Sequence, residues 1–243
     1  MTTNSNVIKR NLQENLMRRN TSQGLRSPGL LAKWPIIGVV MFLVGTLMFG
    51  ALAYNVWTKG PLLQWDVPLT TEFHNEAVKE PPRIIELLDF GFFVGKELVQ
   101  VIAIILALYF LHKRFWRELA MLLVGLGGGA LIWYFLIGIF HRVRPAQQIG
   151  ITVSDYSFPS GHVITAVLAY GLLAYLLIPK MPSLFWKWVV AIASILTILY
   201  IGFSRLFLGG HYLTDLLAGY ALGIAWAGLV YTLIEQISMR GQR

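Results

Sequence analysis

Two short stretches place Arg, His, Ser and Asp directly beside long apolar runs. Residues 158–162 read Phe-Pro-Ser-Gly-His, and residues 204–215 contain Arg205, His211 and Asp215. Polar and charged side chains next to lipid are costly and usually mark a functional site. We therefore expect the two stretches to come together in one site.

The residue types around these stretches suit an anionic, tetrahedral group such as a phosphate. Arginine binds phosphate oxygens through paired N–H donors, so Arg144 and Arg205 are predicted phosphate ligands, and Arg142 is a further candidate. Ser160 and Gly161 open an apolar run, where the N–H groups and dipole of a helix N-terminus favour an anion. These residues and the two stretches lie at the ends of the third and fifth predicted spans and at the starts of the fourth and sixth. Together they predict a phosphate-binding cage.

The histidines add a nucleophile and an acid to this cage. His211 and Asp215 are four residues apart, so on a helix they share a face. Asp215 can then hold one imidazole nitrogen of His211 and leave the other as nucleophile or base. His162 can protonate the leaving group. The predicted catalytic residues are His211, His162 and Asp215.

Two other kinds of site are less well supported. A metal site could use His162 and His211 together with Asp215. The two histidines, however, have no third strong ligand nearby. A serine hydrolase centred on Ser160 lacks both the Gly-x-Ser-x-Gly turn and the strand that carries it. The absence of cysteine excludes thiol catalysis and Cys-ligated metals.

The elements that must position these residues are membrane-spanning helices. Hydrophobic residues make up 56% of the chain and charged residues only 13%. Several apolar runs reach about 20 residues, the length that crosses a bilayer core. We predict an all-α fold, a six-helix membrane bundle, with short interfacial helices near residues 69–77. The predicted spans are residues 34–57, 85–111, 119–140, 160–178, 185–207 and 212–236.

The basic residues predict how the bundle is oriented. We divide the chain into a basic cytoplasmic tail (residues 1–33), a membrane domain (34–236) and a C-terminal tail (237–243). Thirteen of the twenty Lys and Arg residues fall on the side that holds both termini, which the positive-inside rule makes cytoplasmic. The site then faces outward from an inner or plasma membrane. The same arrangement argues against nucleic-acid binding despite the net charge of +8.

Two features within the predicted spans have alternative explanations. Gly125 and Gly129 are spaced as a small-residue pair for close helix packing, which we favour over a glycine-rich phosphate loop. Lys96 lies inside the second span, next to Glu97. It either extends to the membrane surface or pairs within the bundle, or it lies near the active site.

The motifs identify a family that the chain resembles, the type-2 phosphatidic acid phosphatase superfamily, related to the vanadium haloperoxidases. That family shows Lys-x6-Arg-Pro, Pro-Ser-Gly-His and Ser-Arg-x5-His-x3-Asp. The second motif is intact at residues 159–162, and the third is intact at residues 204–215. The first is partial, because Arg144 and Pro145 are present but Ile137 occupies the lysine position.

The resemblance implies a phosphatase that needs no metal or cofactor, with a phosphorylated lipid as its partner in the bilayer. The implied substrates are an isoprenyl pyrophosphate, phosphatidic acid or phosphatidylglycerophosphate. His211 would form a phosphohistidine, Asp215 would orient it, and His162 would protonate the leaving group. Arg144, Arg205, Ser160 and the Gly161 amide would hold the phosphoryl oxygens.

The missing lysine leaves alternatives open. Arg142, His141 or Lys96 would supply the charge that Ile137 lacks. The same intermediate also serves a phosphotransferase that passes the phosphoryl group to another acceptor. A non-catalytic lipid-binding or anion-binding membrane protein is the third alternative, and Ile137 is its only support.

Overall fold

The predicted six-helix membrane bundle is confirmed. The computed structural model describes residues 29–146, 148–150 and 156–240. Within these residues, six helical segments are long and apolar enough to cross a membrane. These spans are Pro35–Thr58, Pro82–Lys113, Trp116–Phe140, Gly161–Lys180, Leu184–Phe207 and Leu213–Arg240.

Some spans consist of one helix and others of two. In chain order, the helices are α1 (Leu30–Lys33), α2 (Pro35–Thr58), α3 (Asp66–Ala77), α4 (Pro82–Gly95), α5 (Glu97–Lys113), α6 (Trp116–Leu122), α7 (Gly128–Phe140), α8 (Gly161–Leu177), α9 (Leu184–Phe207) and α10 (Leu213–Arg240). The second span is α4 followed by α5, and the third is α6 followed by α7. Short 3₁₀ turns, Pro61–Trp65 and Ile178–Lys180, precede α3 and follow α8.

The first and last spans, α2 and α10, pack along each other through small residues. A Cβ at Gly45 would lie 2.6 Å from the carbonyl oxygen of Ala221, and one at Gly38 would lie 2.7 Å from that of Gly228. Small side chains let two membrane helices approach this closely. The contact fixes the start of α10, where Asp215 lies, relative to α3, which follows α2.

The second span is interrupted in its middle, at Lys96. Helix α4 ends at Gly95, and Lys96 has φ −132° and ψ −70°, outside the helical region. A backbone carbonyl released by such a break needs a partner, because no water is available in lipid. The hydroxyl of Tyr170 donates to the Val94 carbonyl at 2.9 Å. The interruption is therefore supported from α8, and Lys96, which stands at it, is exposed.

The glycines of the third span serve helix packing, as predicted. A Cβ at Gly125 would lie 2.8 Å from the ring of Tyr231 in α10, and a Cβ at Gly129 would collide with Leu168 in α8. Between α6 and α7 the helix widens into a π-helical turn, Leu123–Gly127, which the sequence did not predict. The third span thus lies close against both α8 and α10.

The predicted interfacial helix is present as α3, and it begins at Asp66 rather than near residue 69. Its Phe73 packs against Phe203 and Phe207 of α9, with ring centroids 5.9 and 5.5 Å away. Asp66, by contrast, is buried, with 1% of its surface exposed. The helix therefore lies over the end of the bundle as part of the fold.

Part of the predicted N-terminal tail, residues 29–33, is described by the structure. Of the predicted tail, residues 1–28 fall outside the described residues. The segment that follows packs onto the bundle, since Leu31 and Ala32 of α1 are buried. The Gly29 N–H also donates to the carboxylate of Glu235 at 3.4 Å. The end of the predicted tail is therefore in contact with the bundle.

The last helix extends into the predicted C-terminal tail. Helix α10 continues through the first part of the predicted tail and ends at Arg240. Residues 241–243 lie outside the described residues. No proline or glycine interrupts residues 237–240, so nothing in the sequence stops the helix before Gly241.

Candidate active site

The predicted polar residues converge at one end of the bundle, where α7 and α9 end and α8 and α10 begin. A cavity of about 230 Å³ opens there, and Arg144, Gly161, His162 and His211 line it. Arg205 lies in a small adjoining recess that shares Arg144, His162 and His211 with the cavity. Side chains from distant parts of the chain thus surround one space.

His211 is buried, and both of its ring nitrogens have partners. Nδ1 lies 2.8 Å from the carbonyl oxygen of Ser157. Because a carbonyl can only accept, Nδ1 carries the proton, and Nε2 of the neutral ring keeps its lone pair. The Arg144 guanidinium lies 3.0 Å from Nε2 and donates to it. In this tautomer Nε2 is the ring nitrogen that can act as a nucleophile.

The pKa of His211 is lowered from its ordinary value. Burial is the largest cause, because an imidazolium ion is costly away from water, and the charge of Arg144 lowers the pKa further. Asp215 and the Ser157 carbonyl act in the opposite direction but do not outweigh burial. The imidazole is therefore neutral at neutral pH, as a nucleophile requires.

Asp215 lies behind His211, but the hydrogen bond expected between their side chains is made by another group. Asp215 Oδ2 is 3.6 Å from His211 Nδ1, and the Ser157 carbonyl is closer to that nitrogen. Asp215 is fully buried and accepts from Arg142 Nη1 at 2.6 Å and from the Tyr212 N–H at 3.0 Å. It therefore acts on His211 through its charge.

Arg142, the further candidate for phosphate binding, is engaged elsewhere. Its guanidinium donates to Asp66 and Asp215 at 2.6 Å each and to Thr214 at 2.7 Å. Burial by itself would lower the pKa of Arg142, but Asp215 and Asp66 raise it above its ordinary value. Arg142 therefore stays charged. It binds Asp215 and does not line the cavity itself.

His162 and Ser160 each present a buried polar atom without a partner. Within the described part of the chain, His162 Nε2 and Ser160 Oγ make no hydrogen bond. Buried polar atoms are nearly always paired, so two orphaned atoms in one site indicate a ligand. The rings of His162 and His211 have centroids 6.4 Å apart, a separation that a phosphoryl group can bridge.

The start of α8 has no side-chain cap, and it packs closely against Trp133. Ser160 precedes the helix but makes no capping hydrogen bond, so its hydroxyl is not used by its own helix. A Cβ at Gly161 would lie 2.8 Å from the indole of Trp133, whose N–H donates to the Pro159 carbonyl at 3.1 Å. Only glycine fits at this position, beside the helix N-terminus.

Phe92 of α4, which the sequence did not predict as a site residue, contacts His162 and two cations. Its centroid is 4.6 Å from that of His162, and the Arg205 guanidinium and the Lys96 ammonium lie 5.2 and 5.5 Å from it. Such cation–π contacts stabilise positive charge beside an apolar surface. Arg205 also lies 3.6 Å from Asp89.

The structure distinguishes the three residues that were expected to compensate for Ile137. Ile137 is buried in the last turn of α7. Arg142 is engaged by carboxylates, and His141 packs on Tyr156 with ring centroids 4.5 Å apart. Lys96 lines the cavity itself. Of the three, Lys96 is the cation that the fold brings to the site.

The weaker alternative, a metal centre, lacks a ligand set in the described ranges. No group of three or more His, Cys, Asp and Glu side chains in them is placed to hold a metal ion. Asp215, which that alternative required, is bound to Arg142. The charged side chains that line the cavity, Lys96 and Arg144, are both cations and suit an anion.

Four residues that build the site were not predicted, and their sequence context explains why. Ser157 contributes only a carbonyl, which every residue type has. Phe92 and Trp133 look like ordinary apolar residues of membrane spans. Asp66 resembles the other acids of the segment between the first two spans, and only its burial sets it apart.

Comparison with known proteins identifies the family of this chain. The family model of the PAP2 superfamily matches residues 37–238. Phosphatidylglycerophosphatase B of Bacillus subtilis is 37% identical over 148 residues, which cover 60% of this chain and 72% of that protein. Undecaprenyl-diphosphatase of Sulfolobus acidocaldarius is 32% identical over 97 residues, which cover 40% of this chain and 42% of that protein.

Solved structures extend the likeness to three dimensions. The crystal structure of a transmembrane PAP2-type phosphatidylglycerolphosphate phosphatase from Bacillus subtilis superimposes with a TM-score of 0.67 at 28% identity, covering 82% of this chain and 96% of the other. Aquifex aeolicus LpxE shares the fold, with a TM-score of 0.50 at 19% identity, covering 72% of this chain and 95% of the other. The chain therefore belongs to the PAP2 superfamily and is an integral-membrane phosphatase.

Proposed function

We propose that the chain hydrolyses a phosphomonoester or diphosphate of a membrane lipid through a phosphohistidine on His211. One observation carries the proposal: Nε2 of His211 keeps its lone pair in the cavity where Ser160 Oγ and His162 Nε2 are buried without partners. Candidate substrates are phosphatidylglycerophosphate, phosphatidic acid and an isoprenyl diphosphate. The curated names of the two relatives support the first and the last of these.

In the first step, Nε2 of His211 attacks the phosphorus atom and forms a P–N bond. The bond between phosphorus and the lipid oxygen breaks, and His162 gives its proton to that oxygen. An anionic phosphate beside Nε2 of His162 favours the protonated form of this ring. The dephosphorylated lipid then leaves.

In the second step, water attacks the phosphohistidine. His162 is now neutral and takes a proton from the water as its oxygen bonds to phosphorus. The P–N bond breaks, which restores the lone pair on His211 and releases inorganic phosphate. Asp215 stabilises the positive charge that His211 carries in the intermediate.

The cage stabilises the charge that spreads over the phosphoryl oxygens in each transition state. Arg144 already directs an N–H at Nε2 of His211, so it faces these oxygens once phosphorus is bound there. Arg205 and Lys96 lie on the side of the cavity where Phe92 lies. The Ser160 hydroxyl and the N–H groups at the start of α8 supply further donors. Apolar parts of the cavity wall, including Ala130 and Ile164, suit the start of a hydrocarbon chain.

The test of this proposal is phosphate release from a panel of lipids by the purified protein in detergent. We expect inorganic phosphate from at least one of the three candidate lipids. Transfer of the phosphoryl group to an added alcohol, in place of phosphate release, would indicate a phosphotransferase. A lack of turnover on every lipid would favour a binding protein.

The pH dependence of kcat/KM reports His211 in the free enzyme. Because the pKa of His211 is lowered, the nucleophile stays neutral as the pH falls through about 6.5, the ordinary histidine pKa, and is lost only below it. We expect an acid limb of kcat/KM below pH 6.5. Substrate phosphate also titrates, so the limb is measured with two substrates of different phosphate pKa, and only the shared limb is assigned to the enzyme. A shared limb above pH 7 would contradict the assignment.

We infer from the distribution of Lys and Arg that the site opens at the outer leaflet and that both termini are cytoplasmic. The chain has no cysteine, so single cysteines can report each side without background. A membrane-impermeant maleimide is expected to label Gln64→Cys in intact cells and Ser183→Cys only after permeabilisation. The reverse pattern would invert the orientation.

A further inference from the structure

Asp66, in the interfacial helix α3, is bound to the same elements that carry the nucleophile. It is 1% exposed, although it starts a helix in a segment rich in acids and prolines. Its carboxylate accepts from the Thr214 N–H at 3.0 Å, from the Thr214 hydroxyl at 2.6 Å and from Arg142 Nη2 at 2.6 Å. All three donors belong to segments that flank the active site.

Arg142 connects this carboxylate to the catalytic one. Its Nη1 donates to Asp215 at 2.6 Å and to Thr214 at 2.7 Å, and its guanidinium lies 4.4 Å from the ring centroid of Tyr212. One guanidinium thus joins two buried carboxylates, on α3 and α10. Asp66, Arg142 and Asp215 together carry a formal charge of −1.

We propose that Asp66 and Arg142 are positioning residues for catalysis, which set the orientation of Asp215 and the charge that it presents to His211. Neither touches the phosphate. They act through Asp215, whose Oδ2 lies 3.6 Å from Nδ1 of His211. The interfacial helix α3 is then part of the active site, and the segment between the first two spans contributes to turnover.

The proposal rests on the proposed function, in which His211 is the nucleophile, and it predicts a particular kinetic effect. Loss of either residue should lower kcat about 10- to 100-fold, the usual effect of removing a partner that orients a ligand or catalytic group. KM should change little, because the side-chain bonds of this pair go to Thr214 and Asp215, which do not line the cavity. A purely structural ion pair would lower the amount of folded enzyme but leave kcat per folded molecule unchanged.

The three side chains of Asp66, Arg142 and Asp215 form a charged network, and its net charge gives a second effect. The acid limb of kcat/KM should shift in opposite directions in the two single variants. Asp66→Asn leaves a net charge of zero behind His211, which disfavours the imidazolium form, so the acid limb of kcat/KM should move to lower pH. Arg142→Gln leaves a net charge of −2, so the limb should move to higher pH. The double variant restores −1, and its limb should return towards that of the wild type.

Other groups around His211 are present in all of these variants. Arg144 faces it at 3.0 Å, and the His162 ring is 6.4 Å away between centroids. Arg205 and Lys96 lie farther off, around Phe92. Their contributions are common to the series, so differences between limbs report the network.

The experiment measures kcat, KM and the pH profile in detergent for the two single variants and the double variant. Glu72→Gln is the matched control, because it removes one carboxylate from the exposed face of the same helix. Opposite shifts of the two single variants, with recovery in the double variant, support the proposal. Identical limbs, or shifts in one direction, overturn it.

Folding of Arg142→Gln is a separate question, because it leaves two buried carboxylates together. If it does not fold, Asp66→Asn and the double variant still decide the outcome, since the first must move the limb and the second must restore it. Failure here is also distinguishable from failure of the proposed function. An unchanged rate in His211→Ala rejects His211 as the nucleophile. Unchanged acid limbs of kcat/KM in the Asp66 and Arg142 variants reject only the positioning role of these two residues.

Discussion

Replacement of His211 by alanine is expected to lower kcat for phosphate release by about 10⁴-fold or more, because it removes the proposed nucleophile of a covalent mechanism. The geometry explains why no neighbour can substitute. His162 is held against Phe92 with ring centroids 4.6 Å apart, on the opposite side of the cavity. The measurement is release of inorganic phosphate from the best lipid of the panel.

The control for this variant is His112→Ala, which changes an exposed histidine at the far end of α5 and should keep the wild-type rate. Rapid quenching with a labelled substrate should trap label on the wild-type protein and none on His211→Ala. Vanadate, which adopts the geometry of the phosphoryl transition state, should inhibit, and EDTA should not. A wild-type rate in His211→Ala, or a strict metal requirement, would exclude the mechanism.

Lys96→Met is expected to lower kcat/KM by about 10²- to 10³-fold, the usual effect of removing one group that stabilises transition-state charge. Lys96 lines the cavity at the interruption between α4 and α5. The end of α7 has Ile137 at the lysine position of the family motif Lys-x6-Arg-Pro. Adding Ile137→Lys to Lys96→Met should therefore recover part of the loss.

Lys113→Met is the matched control, since it removes a lysine from the exposed far end of the same span, at the end of α5. It should leave kcat/KM unchanged. If Lys96→Met also has no effect, the site works without this cation and Lys96 has only a membrane role. If the wild type is nearly inactive and Ile137→Lys alone raises its rate strongly, the chain is a binding protein that has lost turnover.

The sequence predicted the bundle and the family correctly because both depend on local features. Span lengths follow from the thickness of the bilayer core, and apolar runs show them directly. The two complete motifs placed Arg, Ser, His and Asp at helix ends on one side of the membrane. The family match over residues 37–238 confirms what these motifs indicated.

Less of the second span could be predicted, because its sequence gives no strong signal for a break. Gly95, Lys96 and Glu97 are all compatible with a continuous helix. The interruption depends on Tyr170, a residue of α8 that donates to the Val94 carbonyl. The two open alternatives for Lys96 could therefore be separated only by the packing of α8 against the second span.

The sequence alone therefore determined the class of fold, the family and the chemical type of the site, since residue type and spacing are properties of the chain itself. Tertiary structure decided which nitrogen of His211 keeps its lone pair, because the Ser157 carbonyl fixes the tautomer. It also decided that Arg142 bonds to Asp215 and to the buried Asp66. The direction and burial of a side chain depend on segments far apart in the chain, which only the packed bundle brings together.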